Sequence, residues 1–141
     1  MASFIAVFII IIAFFISLSF FAMWSLRWQR RIDEYIDIYR KRSERRAVYL
    51  KDNYTEESLI ILCDEVIGSP SFSERVKLDE RLSSIAASLN DSVLIGFESE
   101  LISCYSSYKA SVYEYRRKCR RWYNRMFCSI LNLDRRGRFE L

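Results

Sequence analysis

The first part of the chain is continuously apolar instead of periodic. No charged residue occurs in the 25 positions from Ala2 to Leu26. A helix of that length measures about 37 Å, which exceeds the roughly 30 Å of hydrocarbon in a bilayer. Fifteen of its side chains are Ile, Phe, Val or Leu, and each favours insertion by about 0.3–0.6 kcal/mol. The pattern predicts a transmembrane anchor at residues 1–26.

A cleaved signal peptide is the alternative interpretation of this segment. Its apolar core usually has about 7–15 residues, with basic residues before it and a small-x-small cleavage site after it. The run here is longer and has neither flank. We therefore expect the segment to be retained.

Beyond the apolar run, hydrophobic residues recur at intervals of three and four, the spacing that places side chains on one face of a helix. Only three Gly and one Pro interrupt the chain. Helices are predicted at about 27–52, 55–67, 72–90 and 92–131. The pattern predicts an all-α protein, in which an N-terminal single-pass transmembrane helix is followed by an antiparallel four-helix bundle.

The bundle is predicted to occupy residues 27–133, before a basic C-terminal tail at 134–141. Neither Gly nor Pro separates the anchor from the first amphipathic stretch, so one helix should continue out of the bilayer. The fourth predicted helix is the longest. At about 1.5 Å per residue it returns to the membrane surface near Trp122, and we expect it to break near the segment 126–133.

Charge is distributed unevenly around a net value of +4. Residues 27–51 carry +5, residues 52–108 carry −8 and residues 109–141 carry +7. This alternation suits helices that fold back on each other, although one exposed ion pair contributes at most about 1 kcal/mol. The basic run from Arg40 to Arg46 is expected to form a solvated helix face with acidic partners, contact with lipid or nucleic acid being the alternative.

The residues that flank the apolar run predict its orientation. Arg27, Arg30 and Arg31 follow it at once, whereas no Lys or Arg precedes it, and the side richer in these residues stays cytoplasmic. We expect a single-pass protein of the inner cell membrane with a short N-terminus outside and a cytoplasmic body.

Composition argues against an enzyme. The chain has no His, which is the commonest general base and metal ligand, and it contains no Gly-rich phosphate loop or nucleophile elbow. We expect no catalytic residue, cofactor, metal or small-molecule substrate. The four cysteines form no CxxC pair and are predicted to be small core residues, with disulfides or metal binding as the alternative. They are Cys63, Cys104, Cys119 and Cys128.

The basic residues after the span and those late in the fourth helix are predicted to meet at the lipid headgroups. Two tryptophans straddle the exit of the span, where an indole ring can be buried while its N–H stays hydrated. The candidate membrane-interface residues are Trp24, Arg27, Trp28, Arg30, Arg31, Arg117, Arg120, Arg121, Trp122, Arg125 and Phe127.

The octet 126–133 is too short to span a bilayer and too apolar to be left in water. Two interpretations are open for it. It lies in the membrane interface as a second lipid contact, or it completes the core of the bundle.

Three segments resemble the LemA-like membrane proteins. Ile36-Asp37-Ile38 with Arg40-Lys41-Arg42 is similar to that family's Ile-Asp-Val-Gln-Leu-Lys-Arg-Arg stretch, and Tyr108, Val112 and Tyr115 are similar to its late-helix pattern. Residues 122–141 resemble its closing segment, although Tyr123 stands where the family has Pro and Arg116 where it has Asn. The resemblance covers both ends of the chain. It implies a span and a four-helix bundle, with no established activity whose catalytic residues would transfer.

Two function classes remain open. The first is a non-enzymatic membrane-anchored scaffold or protein-interaction module, docked on the cytoplasmic membrane face. The second is a single-span accessory subunit of a larger membrane complex. The expected partners are the lipid bilayer and an unidentified membrane or cytoplasmic protein, a second copy of the chain included. Nucleic-acid binding is not expected, because the membrane accounts for the basic charge of the fourth helix.

Overall fold

The structure, a computed structural model, describes residues 1–131, except for the side chains of Trp122 and Tyr123. In this part of the chain there are five helices and no strand, which confirms the predicted all-α class. One of the helices is long and apolar enough to cross a membrane. The helices are α1 (Ala2–Asn53), α2 (Glu57–Gly68), α3 (Phe72–Ser88), α4 (Ser92–Cys119) and α5 (Trp122–Ile130).

Helix α1 unites the apolar run and the first amphipathic stretch in 52 residues. It contains neither Gly nor Pro, the residues that most readily end a helix. The expected continuity of the helix from the apolar run into the amphipathic stretch is therefore present. Helices α2 and α3 begin and end within two residues of their predicted limits, the usual uncertainty of a helix end.

The fourth predicted helix, 92–131, is two helices in the structure. Helix α4 ends at Cys119, and Arg121 adopts an extended backbone with ψ of 139° before α5 begins. The side-chain amide of Asn124 donates a 2.9 Å hydrogen bond to the carbonyl of Lys118. That carbonyl belongs to the last turn of α4 and also accepts the backbone amide of Arg121 at 3.3 Å. The break thus precedes the expected segment 126–133, and the Asn124 side chain adds a second donor to the carbonyl at the end of α4.

The chain divides into two units, which are described separately. Unit 1 contains Met1–Ile32 and the described residues from Ser111 on, and unit 2 contains Asp33–Ala110. This division differs from the predicted anchor at 1–26 and bundle at 27–133, because the end of α4 and all of α5 belong with the start of α1. The predicted basic tail, 134–141, lies outside the described residues.

Unit 2 is built on two buried apolar clusters to which segments of α1, α2, α3 and α4 contribute. Within it, α1 and α4 run antiparallel, since Arg42 pairs with Glu100 and Arg46, further along α1, pairs with Glu98. The larger cluster consists of Ala47, Leu50, Leu59, Cys63, Val66, Leu82, Ala86 and Leu94, and the smaller of Tyr39, Val76, Leu101 and Cys104.

A buried ionic network joins three of these helices. The guanidinium of Arg46 is fully buried and binds Asp79 at 2.9 Å, Ser83 at 2.8 Å and Glu98. Arg46 therefore does not belong to a solvated face, and the expectation for the basic run is wrong at this position. Its burial is tolerated because two carboxylates compensate its charge.

Two hydroxyl groups of α1 complete the network around Asp79. Tyr39 and Ser43 donate hydrogen bonds of 2.8 and 2.9 Å to this carboxylate. Burial, together with the charge of Asp79, raises the pKa of Tyr39 far above its ordinary value. Tyr39 is therefore neutral at all physiological pH values and remains a hydrogen-bond donor.

The four cysteines are buried and form no disulfide. This confirms their predicted role as small core residues. Burial raises the pKa of the Cys63 and Cys104 thiols above the ordinary value, so both stay protonated and unreactive at neutral pH.

The network generates a prediction for stability. Replacing Asp79 by Ala leaves Arg46 buried without its more deeply buried carboxylate partner and removes the acceptor of Tyr39 and Ser43. We expect a loss of about 3–5 kcal/mol in the free energy of unfolding, measured by circular dichroism of the full chain in detergent micelles. The control is Lys51→Ala, which opens the exposed Lys51–Asp64 pair and should change stability little. Equal stability of the two variants would contradict the role given to Asp79.

Candidate membrane interface

Unit 1 combines the apolar run with an almost purely basic set of charges. Its described residues include nine Lys or Arg and a single acidic residue, Glu114, a net charge of +8. An anionic leaflet attracts such a group, since each basic residue near it contributes about 1 kcal/mol. The basic residues are Arg27, Arg30, Arg31, Arg116, Arg117, Lys118, Arg120, Arg121 and Arg125.

The first twenty residues of the chain are largely uncovered by protein. All are exposed except Phe14 and Leu18, which are half-buried, and only 6% of the most apolar window is buried. A core helix of a water-soluble domain would be mostly covered. An uncovered apolar helix of this length, about 30 Å, matches the hydrocarbon thickness of a bilayer.

One face of α1 is covered by other parts of unit 1, increasingly so towards the end of the apolar run. Residues at intervals of three and four form a stripe along this face of the helix. It is partly covered at Phe14 and Leu18 and fully buried further along. The buried positions are Phe21, Ser25, Gln29 and Ile32.

Helix α5 covers the apolar end of the stripe. The ring of Phe127 lies 5.8 Å from that of Phe14 and 5.5 Å from that of Phe21, measured between centroids. Its neighbour Cys128 is 1% exposed. The described part of the octet 126–133 therefore packs on the apolar run of α1, an arrangement that neither of its two interpretations included.

A buried polar cluster lies where the apolar run ends. Ser25 and Gln29, one turn apart on α1, meet Tyr115 of α4. The Ser25 and Tyr115 hydroxyls are 2.8 Å apart, and the Gln29 amide donates to the Tyr115 oxygen at 3.2 Å. Buried polar groups require such partners. Sequence reasoning missed this cluster, although the stripe spacing of Ser25 and Gln29 could have indicated that both face another helix.

Aromatic rings and cations lie together beside this cluster. Trp24 stacks on Tyr115 with centroids 5.8 Å apart. The Lys118 ammonium lies 4.9 Å from the Trp28 ring and 5.8 Å from the Trp24 ring, and Arg31 lies 5.4 Å from Trp28. Such cation–π contacts hold charge at the edge of an apolar region. Lys118 belongs to the basic residues late in the fourth predicted helix, which are expected to lie at the headgroups.

All the predicted interface residues belong to unit 1. Trp24, Trp28 and Phe127 are half-buried, whereas the side chain of Trp122 lies outside the described part of the structure. The exposed members are Arg27, Arg30, Arg31, Arg117, Arg120, Arg121 and Arg125.

These features define an all-α protein with one candidate membrane-spanning helix and a basic, aromatic region in the same structural unit. Comparison with family models, characterised proteins and solved structures finds no match to the chain. Among the described residues, no group of three or more acidic or cysteine side chains could hold a metal ion.

The polar cluster generates a second prediction. Tyr115→Phe removes the hydroxyl group that contacts both Ser25 and Gln29. We expect the free energy of local opening at the end of α4 to fall by about 1–2 kcal/mol. Labelling of the buried Cys119 by a thiol reagent, located by mass spectrometry, should accelerate roughly tenfold, as a change of about 1.4 kcal/mol implies.

The matched control is Tyr113→Phe, because Tyr113 lies on the same helix and is 61% exposed. It should leave the labelling of Cys119 unchanged. The rate at Cys63, in unit 2, should stay constant in both variants. Acceleration at Cys63 to the same degree would show global unfolding and would count against a local role of the cluster.

Proposed function

We propose that the protein is a non-enzymatic, membrane-anchored helical scaffold or protein-interaction module. Helix α1 anchors it, unit 1 engages the anionic headgroups of the cytoplasmic leaflet, and unit 2 offers a charged helical surface to a protein partner or a second copy. The resemblance to LemA-like proteins supports the same architecture.

The grouping of charge in unit 1 carries this proposal. Nine basic residues and one acidic residue accompany the apolar helix, whereas residues 33–110 carry ten basic and fifteen acidic residues. Cytoplasmic flanks of membrane spans are rich in Lys and Arg. Residues 33–110 carry a net negative charge, which an anionic leaflet repels. Unit 2 is therefore available to partners in the aqueous phase.

Charge reversal tests the lipid contact. In nanodiscs, we expect the wild-type chain to unfold at a higher temperature with phosphatidylglycerol than with phosphatidylcholine alone, because the arginines of unit 1 bind anionic headgroups. The combined variant Arg117→Glu, Arg120→Glu and Arg121→Glu should lose this difference.

A matched control reverses three exposed basic residues of unit 2, Lys41, Lys77 and Arg81, with the same change in net charge. It should keep the lipid-dependent difference. If both triple variants respond to phosphatidylglycerol as the wild type does, specific docking by unit 1 is excluded.

Membrane sidedness is tested by cysteine accessibility in intact cells. The native cysteines are buried, so the wild-type chain gives the background. A membrane-impermeant thiol reagent should label Ala2→Cys in intact cells and Ser92→Cys only after permeabilisation, because the arginines after the apolar run retain the body in the cytoplasm. Labelling of Ser92→Cys in intact cells would overturn the orientation.

A further inference from the structure

We propose that α5 is inserted into the hydrocarbon of one leaflet beside the membrane span, with the acyl chains of that leaflet as its partner. This inference rests on the proposed anchoring by α1. In this arrangement α5 descends along the span, whereas an interfacial helix lies flat at the headgroups.

The position of Phe14 in the apolar run carries the argument. About twenty helical residues cross the hydrocarbon, and the run from Ala2 to Leu26 offers 25. The cytoplasmic boundary of the hydrocarbon then falls between Phe21 and Leu26. Phe14 lies seven to twelve residues inside that boundary, or about 10–18 Å at 1.5 Å per residue. For every position of the boundary in this range, Phe14 lies at the depth of the acyl chains.

Helix α5 must share this depth because it contacts Phe14. The Phe127 ring lies within 6 Å of both Phe14 and Phe21, at 5.8 and 5.5 Å, and therefore at a level between them. Helix α5 has nine residues, or about 13.5 Å, roughly half the hydrocarbon thickness. It reaches into one leaflet and is too short to cross the second.

The outer face of α5 is suited to lipid. Met126 and Ile130, one turn apart, are 49% and 51% exposed, whereas Phe127 packs on the span and Cys128 is buried. Arg125 lies nearer the start of the helix, where its long side chain can extend towards the headgroups. Apolar residues on the open side and aromatic packing on the closed side fit a helix between a span and acyl chains.

Backbone N–H and C=O groups at the connection between α4 and α5 form hydrogen bonds, which a hydrocarbon environment requires of them. Unpaired N–H and C=O groups are costly in hydrocarbon. At the break, the Arg121 amide donates to the Lys118 carbonyl, and the Asn124 and Arg125 amides both donate to the Arg121 carbonyl. The Asn124 side chain adds a second donor to the Lys118 carbonyl. A helix interruption with its groups paired in this way can lie at the membrane boundary.

The depth of α5 can be measured with the full chain in vesicles of phosphatidylcholine and phosphatidylglycerol. An environment-sensitive fluorophore is attached to Ile130→Cys, with Met126→Cys as a second position. We expect several-fold stronger quenching by nitroxides in the acyl chains than for the same fluorophore on Tyr113→Cys, an exposed position of α4. Aqueous iodide should show the opposite order.

A label on Ile9→Cys, within the apolar run, separates this inference from the anchoring itself. If iodide reaches Ile130 and Met126 as readily as Tyr113 while Ile9 stays shielded, the insertion of α5 is wrong and the anchor stands. If iodide also reaches Ile9, the anchoring and the inference both fail. The wild-type chain corrects for labelling of the native cysteines.

Discussion

The apolar stretch of α1 is the constraint on which unit 1 depends, because the protein does not cover it. The first twenty residues of the chain are almost bare, and an apolar surface about 30 Å long is suited to an apolar medium. The remaining features of unit 1 suit the edge of such a medium. Aromatic rings and cations gather where the apolar run ends, and Ser25, Gln29 and Tyr115 pair their polar groups at the same level.

The two units use charge differently. In unit 2 the ions are compensated within the protein, most fully at Arg46, whose buried guanidinium lies between Asp79 and Glu98. Among the described residues of unit 1, nine basic residues accompany one acidic residue, an excess of positive charge that attracts an anionic surface. An anionic membrane surface is the external partner closest to an apolar span. The proposed membrane contact of unit 1 and the proposed partner contact of unit 2 rest on this asymmetry.

The Arg46 network contributes more to specificity than to net stability. A buried ion pair recovers little beyond its desolvation cost, but a mismatched arrangement would leave a charge unpaired in the core. Ser43 and Ser83 bind opposite ends of the network, so sliding α3 along α1 would break several bonds together. The network therefore favours one register of these helices, which apolar contacts alone would specify weakly.

The amino-acid sequence was enough to predict the length of the apolar run, the helical period, the all-α class and the sign of the charge around the apolar run. These are properties of local composition and spacing, and they need no knowledge of distant residues. Tertiary structure decided which faces meet. It buried Arg46 within a run whose charges predict a solvated face, ended α4 at Cys119 with the Lys118 carbonyl bonded to the Asn124 side chain, and placed Phe127 against Phe14 and Phe21. A three-four spacing identifies an apolar stripe but carries no information about the partner that covers it, because residues more than a hundred positions apart create that contact.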